Sequence, residues 1–410
     1  MTGRRILLIL LVILFGWTTQ ASAAGLPLIV QLGPLSSITS IVAALGGTLV
    51  DRIPGTDIYL LNVPLVPTQL LASLLGIQWM ELNKGVTQPA YSKAGVLNLP
   101  ANTARDWYKY QPSMALIRSG AALAYATGRG IVVADINSQV DVGHPALIGH
   151  LTAGYDFVTT KPPESAALNQ SSASFMDQSS ASFMDQYSST FLNQSSASFM
   201  DGENPAYSHG TLCAGLIAAV APDSMIMPLR VFDDNGSADL FNIAKAIRYA
   251  VQHGAQVINM SFGTLDKSQA IKNSIDFALS RNVVLVASAG NNNTSAPQYP
   301  AAFSGVITTA ATDLFDKKAP FSNYGASVYV DAPGVNIISS YPGGYYSVVS
   351  GTSFSAPMVA GTAALIRSIR FSGAASSIAG GSINIDSKNP AYAKQLGYGR
   401  IDVLQAVKPN

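Results

Sequence analysis

The sequence predicts an α/β protein with a mainly parallel sheet, preceded by a small α+β unit. From Ser113 onward, apolar strand-like runs alternate with amphipathic helix-like segments. The strand-like runs are continuously apolar, which is typical of parallel strands that helices cover on both faces. The chain has 410 residues, of which 48% are hydrophobic and only 11% are charged, and this composition fits a large buried core.

The first residues have the pattern of an export signal. Two arginines precede the apolar run ILLILLVILFGW, and ASA at 21–23 supplies the small residues of a signal peptidase site. The apolar core is too short for a comfortable membrane span. We therefore expect residues 1–23 to be a cleaved signal peptide, with an uncleaved anchor as the alternative. The mature protein is then secreted or periplasmic, with no attachment to the membrane.

Composition also limits the partners and the cross-links. The net charge is +1 and no basic block occurs, so nothing indicates nucleic acid or an anionic membrane as a partner. Cys213 is the single cysteine, which excludes an internal disulfide. Stability then depends on the apolar core, and we expect a monomer.

Residues 24–83 predict the small α+β unit, of ferredoxin-like type. Strand-like runs such as LIVQL and IYLLNVP are interleaved with two runs that carry apolar residues at helical spacing. The order βαββαβ indicates a compact unit. Residues 84–112 contain several Pro and Asn residues and predict a linker.

Residues 113–410 predict the α/β domain itself. A helix at 113–127 leads to the strand Ile131–Asp135, and strands and helices then alternate. One later helix, Leu240–His253, carries a single apolar stripe. Because functional groups collect at the carboxyl ends of parallel strands, the carboxylate that ends the first strand is a candidate site residue.

The α/β pattern is interrupted between residues 159 and 203. Four tandem octads begin at Gln170, three of them QSSASFMD and one QYSSTFLN. A period of eight fits neither a solenoid repeat nor a heptad, so we expect a low-complexity surface insertion. The alternative is that regularly spaced phenylalanines make weak contacts with a substrate or partner: Phe175, Phe183, Phe191 and Phe199.

Three residues fit a hydrolase site. His209 lies at the start of a helix-like run, where the helix dipole disfavours protonation and keeps the imidazole a neutral base. Ser353 lies where Pro357 allows a helix to begin, so free backbone N–H groups nearby can hold an oxyanion. Taken alone, the two are equally consistent with a packing histidine and a serine-rich helix cap. Asp135 would be the third residue of such a site, as its carboxylate.

Chain order distinguishes between hydrolase types. An α/β-hydrolase needs G-x-S-x-G with a later histidine, but Ser353 lies in G-x-S-x-S and every histidine precedes it. The chymotrypsin order requires an all-β chain. The remaining order, Asp135, His209 and Ser353, is that of subtilisin. In this arrangement the carboxylate orients the histidine and stabilises its imidazolium form.

Several long motifs in this order resemble the subtilisin-like serine proteases, the subtilase or peptidase S8 family. GTSFSAPMVAG resembles the nucleophile motif, HGTLCAG the histidine motif, VVAD the aspartate strand and GYGRIDVLQAV the closing segment. The match covers roughly Met114 to Val407 apart from the octads. It implies a subtilisin-like three-layer fold. The unit at 24–83 is similar to an inhibitor I9-like propeptide.

The resemblance implies a serine endopeptidase made as an autoprocessed zymogen. Ser353 would be the nucleophile and His209 the base and then the acid. Asn291 would donate its amide to the oxyanion, a contact whose loss costs about 2.7–4 kcal/mol in this family. The substrates would be proteins or peptides, and the propeptide would be an intramolecular inhibitor that is cut off within 84–112.

The resemblance also implies a substrate cleft. Ser261, Phe262 and Gly263 would pair with the substrate backbone as an added strand. One wall of the main specificity pocket would be formed by four consecutive residues, Ala287, Ser288, Ala289 and Gly290. No cofactor is needed for the chemistry. Structural calcium is common in the family, but the sequence shows no ligand cluster and we assign no metal site.

Two features depart from the family pattern. The family has a small residue and Gly after the Asp, then VD, two residues and HP. Asp135 is followed by four residues before VDVGHP, so we expect a loop that is two residues longer, with Asp141 as a rival carboxylate. The octads are the second departure and could shade the cleft. The alternative function is a catalytically inactive subtilase fold that binds peptides.

Overall fold

The computed structural model describes residues 25–97, 107–159 and 205–408, without the side chains of 205–207. The predicted signal peptide, the octads with their phenylalanines, and part of the predicted linker lie outside the described residues. The chain divides after Leu82 into two compact units. Within the described residues, no helix combines the length and apolar character that crossing a membrane requires.

The first unit has the predicted βαββαβ order. Its elements are β1 (Leu26–Leu32), α1 (Ile38–Leu45), β2 (Thr48–Arg52), β3 (Ile58–Val63), α2 (Gln69–Leu74) and β4 (Ile77–Leu82). The strands form an antiparallel sheet in the order β2-β3-β1-β4. Apolar residues of both helices pack on the sheet, among them Ile41 and Ala72 against Leu28, Val30 and Leu61.

The second unit is built around a parallel sheet. The strands are β7 (Val132–Asn137), β8 (Tyr155–Asp156), β9 (Met225–Arg230), β11 (Val257–Met260), β12 (Val284–Ser288), β13 (Val306–Thr312) and β14 (Val330–Pro333). Their order is β14-β13-β12-β11-β7-β9-β8, and every pair is parallel. The residues of these strands are buried on both faces of the sheet. This burial explains, as predicted, why the strands are continuously apolar.

Helices cover this sheet in two pairs. The pairs are α5 (Pro205–Val220) with α8 (Thr352–Ile369), and α6 (Leu240–Gln252) with α7 (Gln269–Ser280). Shorter helices are α3 (Pro112–Leu116), α4 (Ser119–Ala122), α9 (Ala374–Gly381) and α10 (Val403–Val407), and 3₁₀ turns lie at 107–110, 386–388 and 390–392. The predicted α/β class and three-layer arrangement are confirmed.

Further strands of the second unit lie outside the parallel sheet. Among them are β5 (Gly85–Thr87), β6 (Ser92–Leu97) and the strands of a hairpin, β15 (Ile337–Tyr341) and β16 (Tyr345–Ser350). β5 pairs antiparallel with β10 (Ser237–Asp239), and β6 pairs antiparallel with β16. The first part of the predicted linker is thus held in strands of the α/β unit.

The predicted helix at 113–127 is two short helices instead. Between α3 and α4, Arg118 adopts a left-handed conformation with φ 58°. The carbonyl of Ile117, which a continuous helix would use internally, accepts the N–H of Val403. The Arg118 guanidinium also forms an ion pair with Asp402. These tertiary contacts explain why the helical pattern of the sequence is interrupted.

Candidate active site

Ser353 lies in the first turn of α8, at the carboxyl edge of the sheet. The side chain is fully buried, and its Oγ–H donates to the carbonyl of Ser261 at 3.1 Å. Pro357 lies four residues later and has no N–H to donate to the Ser353 carbonyl. That carbonyl accepts instead from Ser261 Oγ at 2.9 Å and Cys213 Sγ at 3.4 Å. Side chains of other elements therefore fix the backbone of the predicted nucleophile.

His209 lies near the N-terminus of α5 and is almost fully buried. Its Nδ1 lies 2.7 Å from Asn137 Oδ1. Within the described part of the chain, Nε2 has no hydrogen-bond partner, so the bond to Ser353 is not formed in this structure. Burial lowers the pKa of His209 to about 3, which keeps the imidazole neutral.

The partner of His209 differs from the predicted one. Asp135 is buried and makes no hydrogen bond to the imidazole; it accepts from Asn137 Nδ2 at 3.2 and 3.3 Å. It also accepts from Asn259 Nδ2 at 2.7 Å. The prediction of a direct Asp135–His209 pair is therefore wrong. Asn137 stands between the carboxylate and the imidazole.

The physical reason is the length of β7. The strand does not end at Asp135 but continues in register with β9 as far as Asn137, which pairs with Arg230. The predicted longer loop is therefore absent. Counting back from His144 with the spacing of the family pattern, the position of the acid falls on Asn137. That count is the signal that would have identified this residue.

Two other titratable groups near the site have structural contacts. Asp141, the rival carboxylate, lies in a loop and accepts the N–H groups of Gly143 and Gly343 at 3.0 and 2.8 Å. Cys213 is fully buried, with Sγ 3.9 Å from His209 Nδ1. Burial raises the pKa of its thiol well above the ordinary value, so the sulfur stays protonated and can donate to Ser353.

Burial also dominates the electrostatics of Asp135. Loss of solvent raises the pKa of this carboxyl to about 7, against the opposing effect of the amide donors of Asn259 and Asn137. In the described residues, no group of three or more His, Cys, Asp or Glu side chains is placed to hold a metal ion.

Asn291 is held in one orientation beside α8. Its Oδ1 accepts from the N–H and the hydroxyl of Thr352, at 2.9 and 2.7 Å. Its Nδ2 is thereby directed away from the helix and donates to the carbonyl of Ala90 at 2.9 Å. The neighbouring Asn293 is engaged elsewhere, accepting from Lys318 Nζ at 2.9 Å. The structure thus presents the Asn291 amide to a peptide carbonyl.

The predicted cleft residues differ in their surroundings. Phe262 is buried against Phe232, and Ala287 and Ser288 lie inside β12, fully buried. Gly263 and Gly290 lie beyond the ends of their strands, and both face Gln298. An added Cβ would come within 2.8 Å of Gln298 Oε1 at Gly263 and 2.3 Å at Gly290. Among the seven predicted cleft residues, Gly263 alone is partly exposed and the other six are buried.

Sequence reasoning missed one residue that covers the site. Tyr91 follows Ala90, and its ring lies 5.6 Å from that of His209 and 5.2 Å from that of Phe354. Its hydroxyl lies 2.6 Å from Ser208 Oγ, and burial raises the pKa of Tyr91 to about 12. Nothing in the local sequence around Tyr91 signals this position, because its neighbours in space are more than a hundred residues away.

Comparison of the sequence with known proteins points to one family. The sequence pattern of the subtilase family matches residues 128–390. Thermitase of Thermoactinomyces vulgaris is 33% identical over 302 residues, which are 71% of this chain and 94% of thermitase. The thermophilic serine proteinase of Bacillus sp. (strain AK1) is 36% identical over 249 residues, which are 58% of this chain and 52% of that proteinase.

A solved structure has a similar fold. Fervidolysin from Fervidobacterium pennivorans, described as a keratinolytic enzyme related to subtilisin, superposes with a TM-score of 0.71 at 25% identity. The superposition covers 96% of this chain and 62% of fervidolysin. This chain thus matches nearly all of thermitase but only part of the two other relatives. The predicted subtilisin-like fold is confirmed.

Proposed function

Since the chain belongs to the subtilase family of serine proteases, we propose that it is a serine endopeptidase that forms an acyl-enzyme on Ser353. The observation that carries this proposal is the placement of a peptide carbonyl on Asn291 Nδ2 at 2.9 Å. Asn291 is fixed by Thr352, the residue before Ser353. Because Thr352 directly precedes Ser353, this contact supports a position for the predicted nucleophile close to the same carbonyl group.

The chemistry follows from these positions. Ser353 Oγ attacks the carbonyl carbon while His209 Nε2 takes its proton. The oxyanion is held by Asn291 Nδ2 and the backbone N–H of Ser353, and such donors are strongest in a site that excludes water. His209 then gives its proton to the leaving amine, and water hydrolyses the acyl-enzyme. All these groups come from the chain, so we propose no cofactor.

Asn137 sets an expectation for the rate. An amide oxygen can accept the Nδ1 proton of His209, but it lacks the charge with which a carboxylate stabilises the imidazolium. We therefore expect slower turnover than in an enzyme with a carboxylate at this position. The same observation favours the second candidate function, an inactive subtilase fold that binds peptides.

We propose that the protein is exported to a secreted or periplasmic location as a zymogen and is active as a monomer. The export-signal pattern at 1–23 supports the location. The compact βαββαβ unit that precedes the α/β unit supports its role as an inhibitory propeptide. The passage of residues 85–91 along the active site supports processing by the chain itself.

The test is hydrolysis of denatured casein by the purified chain, together with labelling by a fluorophosphonate, which reacts with activated serines. We expect wild type to cleave and to be labelled, Ser353→Ala to do neither, and Ser376→Ala, a control on the exposed start of α9, to match wild type. Wild type that neither cleaves nor labels would overturn the proposal. Retained peptide binding in that case would favour the inactive alternative.

A further inference from the structure

Residues 85–90 run along the active site as a bound peptide does. Gly85–Thr87 pair antiparallel with Ser237–Asp239, and the N–H of Gln88 continues the ladder to the carbonyl of Gly236 at 2.8 Å. Adding an extended segment to an exposed strand edge is a common way to bind a peptide, because main-chain hydrogen bonds fix it in one register. The register here determines which peptide carbonyl lies on Asn291.

Ala90 and Tyr91 lie on either side of the reacting groups. The Ala90 carbonyl accepts from Asn291 Nδ2 at 2.9 Å, while the Tyr91 ring packs on His209 and Phe354. An added Cβ on Gly351 would lie 3.4 Å from both Tyr91 Cβ and Asn291 Nδ2, which shows how closely the two approach the start of α8. The Ala90 carbonyl thus lies on the predicted oxyanion donor, and the residue whose amine would leave packs its ring on the predicted base.

We infer that the Ala90–Tyr91 peptide bond is the maturation site, an inference that rests on the proposed function. Ser353 Oγ bonds to the Ala90 carbonyl carbon, and its proton passes to His209. The C–N bond to Tyr91 breaks, and His209 returns the proton to the new α-amine. Water then releases a carboxylate on Ala90 and regenerates the Ser353 hydroxyl. Tyr91 becomes the new N-terminus and stays attached to the α/β unit through β6 and β16.

The test is the intact mass and N-terminal sequence of the purified protein. We expect wild type to begin at Tyr91 and Ser353→Ala to stay uncut at this bond. Tyr91→Pro should block the cut, because the proline ring restricts the backbone at the bond that would break. Pro89→Ala should still be cut, because it leaves the Ala90–Tyr91 bond unchanged. A wild-type N-terminus elsewhere, or an uncut chain that still degrades casein, overturns this inference alone. An uncut chain without casein activity overturns the proposed function as well.

A second, independent observation concerns the amide of Asn137. Its Oδ1 accepts the backbone N–H of Ser138 at 2.8 Å and faces His209 Nδ1, while its Nδ2 faces the carboxylate of Asp135. A backbone N–H can only donate, so Ser138 defines which end of the amide is oxygen, and the NH₂ end then faces the carboxyl oxygens of Asp135. The oxygen faces the imidazole.

An oxygen at this position selects the tautomer of His209. It accepts a proton from Nδ1, so Nε2 is left unprotonated and able to act as base. When asparagine replaces the acid of a serine protease triad and produces the wrong tautomer, the turnover rate falls about 10⁴-fold. We propose that Asp135 is a positioning residue that holds the Asn137 amide in the productive orientation and so keeps the proton of His209 on Nδ1.

A double-mutant cycle on casein hydrolysis tests this role. We expect Asp135→Ala to lower kcat with KM nearly unchanged, by up to the roughly 10⁴-fold cost of the wrong tautomer. Asn137→Asp should raise kcat above wild type, because a carboxylate then faces the imidazole directly. In that background Asp135→Ala should have little effect. A merely structural role predicts the same loss in both backgrounds.

A spectroscopic measurement of the His209 tautomer tests the same proposal when a variant is inactive. A second substitution is used if one variant does not fold. The chain has only four histidines, so ¹⁵N-labelled histidine resolves the tautomer of His209, with His209→Ala as the assignment control. In Ser353→Ala protein we expect the proton on Nδ1, and a shift towards Nε2 after Asp135→Ala, or after Asp135→Asn if the alanine variant does not fold. An unchanged tautomer in these variants overturns the proposal.

Discussion

The two ends of the active site use the same side chain in opposite ways. At one end, Thr352 engages the Oδ1 of Asn291, so the NH₂ group of Asn291 is presented to the Ala90 carbonyl. At the other end, Asp135 engages the NH₂ group of Asn137, so its Oδ1 is presented to His209. The role of each asparagine is therefore decided by the neighbour that engages the other half of its amide.

The largest effect should come from removing the acceptor at the imidazole end. Asn137→Leu leaves His209 Nδ1 without its partner at 2.7 Å, so the tautomer is no longer selected. We expect kcat on casein to fall by roughly 10⁴-fold, the cost of a misoriented histidine. An Asn137→Leu enzyme that keeps most of its kcat would show that the two ends are not comparable, because only one of them then matters for catalysis.

Stability at different pH values tests the charge at the same end. The folded pKa of Asp135, about 7, lies above the ordinary 3.8, so the fold favours the neutral carboxyl. The contribution of this carboxyl to the free energy of unfolding is present below about pH 4 and is lost as the pH rises through 7. A pKa that is about three units higher corresponds to about 4 kcal/mol, at 1.36 kcal/mol for each unit. The unfolding free energy of Asp135→Asn minus that of wild type should therefore rise by up to about 4 kcal/mol from pH 4 to pH 8. Urea unfolding at both values measures this, and a difference that does not change with pH would contradict it.

The oxyanion end should give the next effect. Asn291→Ala removes the donor that lies 2.9 Å from the Ala90 carbonyl. We expect kcat to fall about 10²–10³-fold with KM little changed, because the donor acts on charge that develops in the transition state. Asn292→Ala is the matched control, since Asn292 is exposed and the hydrogen bonds that Thr352 donates in the described residues go to Asn291. Equal losses of kcat in the two variants would show that the Asn291 amide has no specific role at the oxyanion.

The smallest effect should come from the link between the two ends. Asn259 Nδ2 donates both to Asp135 and to Ser261 Oγ, and that hydroxyl donates to the Ser353 carbonyl. Ser261→Ala should cost about 1 kcal/mol of unfolding free energy, the usual value of one buried hydrogen bond, because Cys213 still donates to the same carbonyl. Thermal unfolding gives the value, and a loss several times larger would mean that Cys213 does not share this contact.

The sheet and most of the site could be predicted from sequence because their signals are local. Continuously apolar strands predicted parallel pairing, and Asn291 follows one of those strands, while local motifs indicated the helices that carry His209 and Ser353. The partner of His209 could not be read in this way, because the apolar run stops at Asp135 while β7 continues for two more residues. Hydrogen bonding to β9, and not hydrophobicity, extends that strand.

The strands of the predicted linker were missed for a different reason. Residues 85–87 and 92–97 are short, contain Gly, Ser and Lys, and pair with segments about 150 to 250 residues further along the chain. Neither segment carries a periodic pattern, since its stability depends on the partner strand and not on its own residues. The break between α3 and α4 has the same origin in contacts with Val403 and Asp402.

Pro357 has a consequence for the order in which the molecule folds. A helix can normally form its first turns from its own residues, but here the Ser353 carbonyl has no N–H of α8 to bond with. It acquires its donors only when β11 and α5 have delivered Ser261 and Cys213. The segment that carries Ser353 therefore depends on distant parts of the chain for its backbone contacts, so we expect an incompletely folded chain to be unreactive at Ser353.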